Sequence, residues 1–140
     1  MTIPGRIAHR PRDIADCVSA YLEDGDIDGI VSMFHPDCLI FFPPDQPPKS
    51  GIAGARAAFE ELLEVRPRIE SNVTSEVIVG DTAMLCATWR VLAPDGTVIA
   101  EGRSTEVAKR LANGGWGYLI DCPYGPPLLK TETSAGAAGL

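Results

Sequence analysis

Histidine is scarce in this chain: 140 residues contain only His9 and His35, far apart in sequence. The four cysteines, Cys17, Cys38, Cys86 and Cys122, are equally scattered. No two have the spacing of a metal knuckle or a redox pair, so no metal centre and no cofactor is expected. There is no Gly-x-Ser-x-Gly turn and no phosphate-binding glycine loop, which removes the common covalent hydrolases and nucleotide enzymes. No apolar run approaches the roughly 18 residues that cross a bilayer. The N-terminus lacks an apolar leader core, so a cytoplasmic protein with free, mostly buried thiols is expected. Positive charge is also short, with 12 Lys and Arg against 19 Asp and Glu, net −7 and a pI near 4.7. Such a surface repels phosphate backbones and anionic lipids, so neither nucleic acid nor membrane is an expected partner.

What remains is a hydrophobic content of 45%, enough for one domain with one core. Residues 1–10 read as a loose arm whose Arg6 and Arg10, with the adjoining Arg12, are solvated. Residues 11–125 form the domain, and 126–140, rich in Gly, Ala, Ser and Thr, read as a disordered tail. Ile14, Cys17, Val18, Tyr21 and Leu22 recur at helical spacing, and Gly25 ends that helix. Asp26 caps a second helix carrying Ile27, Ile30, Val31 and Phe34, stopped by Pro36. Cys38 to Phe42 reads as a strand ended by Pro43-Pro44, and Ala55, Phe59, Leu62 and Leu63 stripe a third helix. From Ile69 the period becomes two. Turns at Gly80-Asp81, Pro94-Asp95-Gly96 and Asn113-Gly114-Gly115 divide four strands of an antiparallel meander. The fold class is α+β, with three N-terminal helices on a curved sheet that leaves a cone-shaped cavity.

The last strand carries the sharpest chemical signal. Asp121 sits among apolar neighbours just before Pro123, where a charge is costly unless paired, solvated in a pocket or neutralised by a proton. Strict alternation sets Gly117, Leu119 and Asp121 on one face and Trp116, Tyr118 and Ile120 on the other. The glycine side offers room, which places Asp121 in the cavity. The alternative is a carboxylate tied to backbone or to an arginine. Glu106 shares a face with Ser104 and Ala108, opposite Arg103, Thr105, Val107 and Lys109. Facing inward it would join Asp121 as an acid/base pair; facing outward it would make a cross-strand ion pair. Phe34, Phe41, Phe42 and Trp89 supply aromatic surface for either a core or a ligand wall, and Tyr21 for either a core or a cavity hydroxyl.

Four stretches in order carry a family likeness: Gly25-Asp26-Ile27, Met33-Phe34-His35-Pro36-Asp37, Gln46-Pro47-Pro48 through Gly51, and Gly115-Trp116 through Asp121-Cys122-Pro123. Together they make residues 10–125 resemble the SnoaL-like and ketosteroid-isomerase-like branch of the nuclear-transport-factor-2-like superfamily. The resemblance implies a cone-shaped, cystatin-like α+β barrel, a homodimer through the outer sheet face and a pocket that is catalytic or simply binds. The isomerases of that branch place a carboxylate base before the proline that follows the first strand. Here that residue is Phe42, so the usual steroid isomerisation is not expected. The family's protonated acid corresponds to Glu106. Its phenol donor lies on the first helix, where Tyr21 is available but Val18 falls nearer the place. Two functions are carried forward. One is binding of a small apolar ligand, with Asp121 and Glu106 as catalytic acid and base on a small carbonyl compound and Tyr21, Phe34, Phe42 and Trp89 as ligand wall. The other is a non-catalytic dimerisation or binding module with a cavity filled by its own side chains.

Overall fold

The computed structural model describes residues 5–129. A single 3-10 turn at Pro11–Asp13 leads into α1 (Ile14–Glu23), followed by α2 (Ile27–Val31), β1 (Phe34–Ile40), β2 (Lys49–Ser50) and α3 (Gly51–Leu63). The meander is β3 (Arg68–Val79), β4 (Thr82–Leu92), β5 (Val98–Arg110) and β6 (Trp116–Cys122). One six-stranded sheet has the order β2-β1-β6-β5-β4-β3. Every pairing is antiparallel except β1 with β6, because the chain leaves β1 through α3 and returns to it only at the end of the meander.

The local causes are legible. Gly25 turns the chain after α1 at φ +68°, a region L-side chains rarely enter. Asp26 then caps α2, its Oδ1 accepting the Gly29 amide at 2.9 Å. α2 is shorter than its apolar pattern suggests. It ends at Val31, and Phe34 opens β1 instead of closing the helix. β1 therefore starts earlier than expected and runs through Pro36, with its register broken between Phe34 and Leu39 because proline cannot donate to the ladder. Helix stripes and the inner sheet face enclose a core centred on Ile14, Ile30, Met33 and Leu85, each at most 1% exposed.

The N-terminal segment is less loose than its composition suggests. Ala8 is fully buried, and its carbonyl accepts the Trp116 amide at 2.9 Å. The arginines are half-exposed and ion-paired: Arg6 with Asp24, Arg10 with Asp13 and Arg12 with Glu76. All four cysteines are free, with Cys38 and Cys122 buried. Residues 126–129 have no regular structure, and the rest of the expected tail lies outside the described residues. Among the described residues no helix is long and apolar enough to cross a membrane.

Candidate functional site

The inner face of the meander curves around a cavity of about 210 Å³, roofed by α1 and α3. An apolar void of roughly 150 Å³ already holds benzene, so this volume suits a molecule of about one or two rings. The walls are mainly apolar, with Val18 from α1, Phe59 and Leu62 from α3, and Phe34, Trp89 and Val91 from the sheet. Ser71, Ser104, Glu106, Tyr118 and Asp121 interrupt them.

Glu106 and Asp121 are direct register partners across β5 and β6. Side chains so paired stand about 5 Å apart at Cβ. Glu106 is only 6% exposed, whereas Asp121 is half-buried because the cavity reaches it. Among the described residues no arginine, lysine or histidine lies within ion-pair distance of either. Burial pushes Glu106 up to about 8, the charge of Asp121 adds to this, and Ser104 opposes it. Burial alone raises Asp121 to about 7. Whichever carboxyl loses its proton first leaves a charge that holds the proton on the other, so the pair titrates as a unit. Near neutral pH the pair presents one acid and one base.

Tyr118 completes this patch, and simple alternation misplaces it. Val107 pairs Ile120 while the next residue, Ala108, pairs Tyr118, so Leu119 is an extra residue in β6. This bulge resets the alternation and turns Tyr118 to the same side as Asp121. Burial and the two carboxylates hold its phenol well above the ordinary range, so it remains a neutral donor. The bulge left no mark that counting by twos detects. Nor is Gly117 a source of room: a Cβ there would lie 2.8 Å from Leu111 and 2.9 Å from the Met33 carbonyl.

Of the expected wall, Phe34, Phe42 and Trp89 do line the cavity. Phe34 packs on Phe59 and Tyr118, each at 5.6 Å between ring centroids. The Trp89 indole donates to the Pro123 carbonyl at 2.7 Å, which fixes its ring. Phe42 lies at the rim, 36% exposed and stacked on Tyr124. Tyr21 does not belong to the site. Its hydroxyl accepts the Arg6 amide and donates to the Arg6 carbonyl at 3.2 Å, and its ring covers Gly29. Tyr21 lies on the side of α1 that meets α2, while Val18 faces the cavity. His35 also stays outside, accepting the Asp37 amide at 3.0 Å. A wider surface groove of about 490 Å³ crosses β3–β5, lined by Glu70, Arg90, Glu101 and Arg103 among others. It is open and its charges partly neutralise one another, as in the 2.5 Å Arg90–Glu70 pair, so it is the weaker candidate.

The SnoaL-like domain family model matches residues 15–114, which takes in Glu106 and stops short of Tyr118 and Asp121. No curated protein matches the chain. Solved structures share its fold at low identity. A nuclear-transport-factor-2-like protein with a cystatin-like fold from Novosphingobium aromaticivorans is 17% identical, with a TM-score of 0.67 over 92% of this chain and 85% of that one. A cystatin-like domain from Nostoc punctiforme is also 17% identical, with a TM-score of 0.67 over 91% and 81%. A protein of Catenulispora acidiphila, solved in complex with S-DNPA, is 16% identical, with a TM-score of 0.61 over 79% and 86%. The chain shares the cystatin-like fold of these structures, and by the family match over residues 15–114 it belongs to the SnoaL-like domain family.

Proposed function

We propose that the domain binds a small, largely apolar molecule in the 210 Å³ cavity and acts on it by non-covalent proton transfer. The reaction class is isomerisation, cyclisation or dehydration of a small carbonyl compound, with Asp121 as acid/base and Glu106 as its partner. The observation that carries this reading is the Glu106–Asp121 register pair, set in apolar walls without a counter-cation among the described residues. The aromatic side chains line the space without filling it, which weighs against a module whose cavity is occupied by its own residues. We further propose that the domain forms a homodimer through its outer sheet face.

The test is exchange of the α-hydrogens of 2-tetralone in deuterated buffer, followed by NMR. Exchange should exceed the buffer rate and fall by about 100-fold in Asp121→Asn, the scale of a lost general base. Exchange at the buffer rate with wild-type protein would overturn the catalytic reading. Phe42 stands where the steroid isomerases carry their base, so a β,γ-unsaturated 3-ketosteroid should not turn over.

A further inference from the structure

The electrostatics of the cavity carry a statement about its ligand's charge. Two carboxyl groups lie side by side on β5 and β6, and no cationic side chain among the described residues answers them. Around them stand the rings of Phe34, Phe59, Trp89 and Tyr118. Tyr118 is buried to 8% exposure and forms part of the cavity wall beside the two carboxyl groups. An aromatic face is negative at its centre and attracts a cation, more strongly when water is excluded. Carboxylates, aromatic faces and the absence of a fixed positive charge all act in the same direction.

We propose that this cavity recognises small apolar organic cations, seated between the Glu106–Asp121 pair and the aromatic wall, and rejects anions of the same shape. The inference rests on the cavity being the binding site. It also sets a condition on the proposed chemistry: Glu106 must protonate the carbonyl oxygen as Asp121 takes the α-proton, so that a neutral enol forms, because a free enolate would form against the field.

The two carboxyl groups are the titrating elements near neutral pH. The other titratable groups close to them are the Tyr118 phenol and the thiols of Cys38 and Cys122, with Cys17 and the exposed Asp16 contributed by α1. The phenol and all three thiols are pushed upward and stay neutral, while Asp16 faces solvent. A cation therefore gains affinity as the pH rises and the pair loses its protons. A neutral ligand does not.

The probes are phenyltrimethylammonium, its uncharged isostere tert-butylbenzene, and 4-methylbenzoate, titrated calorimetrically into the full chain at pH 6 and pH 9. A quaternary ammonium cannot exchange protons, so it reports charge alone. At pH 9 it should bind at least about tenfold more tightly than tert-butylbenzene, with 4-methylbenzoate weakest. Its advantage should shrink at pH 6 and fall at least about tenfold in the Glu106→Gln/Asp121→Asn double variant, which keeps the shape and the aromatic wall and removes the carboxylate charge. Equal or tighter binding of tert-butylbenzene at pH 9 would overturn the inference and leave the binding-site reading standing. An advantage undiminished in the double variant would place the selectivity away from the carboxyl pair, also against the inference. If none of the three binds, both readings fall.

Discussion

Glu106 holds its proton against the solvent, and this makes it a stability element as well as a chemical one. Its carboxyl is raised from the ordinary 4.5 to about 8 by burial and by Asp121. The folded state therefore binds more protons than the unfolded state between roughly pH 4.5 and 8, so the contribution is complete below that window and is lost as the pH rises through it. Asp121, raised to about 7 from 3.8, acts in the same direction over a lower window. Thermal unfolding followed from pH 5 to 9 should show wild-type protein losing stability with rising pH, while Glu106→Gln stays flatter and overtakes it at the alkaline end. The difference should be on the order of a few kcal/mol. A wild-type profile that rises over this range would contradict the buried, unpaired placement of Glu106.

At the scale of elements, Tyr21 couples the N-terminal segment to α1, and no ligand enters that arrangement. Tyr21→Phe removes two hydrogen bonds to Arg6. It should cost about 1 kcal/mol of stability by chemical denaturation while leaving cavity binding unchanged. A loss of binding would return Tyr21 to the site from which its geometry removes it. The sequence leaves Tyr21 open between core and cavity because a helix with apolar residues at 14, 17, 18, 21 and 22 has a stripe wide enough to meet two neighbours, and periodicity does not say which residue meets which. The meander was readable because Gly-rich turns bound each strand and the period is plain. Glu106 was readable because its face is lined with small residues. Helical spacing continues through Ser32-Met33 to Phe34, so periodicity puts Phe34 on α2, whereas the chain turns there, with the Met33 amide on the Ile30 carbonyl. Tyr118 is not legible as a cavity residue because a bulge changes the count without changing the composition.

The whole molecule presents an outer sheet face with a transverse apolar row. Val77, Met84, Val107 and Ile120 are successive register partners across β3, β4, β5 and β6, and Val77 and Met84 are each more than half exposed. An open row of this kind suits a self-complementary contact. Met84→Asp should therefore convert a dimer to a monomer in sedimentation velocity at micromolar concentration. A wild-type protein that sediments as a monomer would refute the dimer. The bulge at Leu119 also bears on how relatives of this chain are matched to it. Tyr118 and Asp121 share a face at a separation of three, whereas a regular strand would present the same two side chains at a separation of two. A homologue lacking the extra residue keeps the constellation but shifts one of its members by one place, so an ungapped column-by-column comparison would pair one of these two groups with a residue from the opposite side of the sheet.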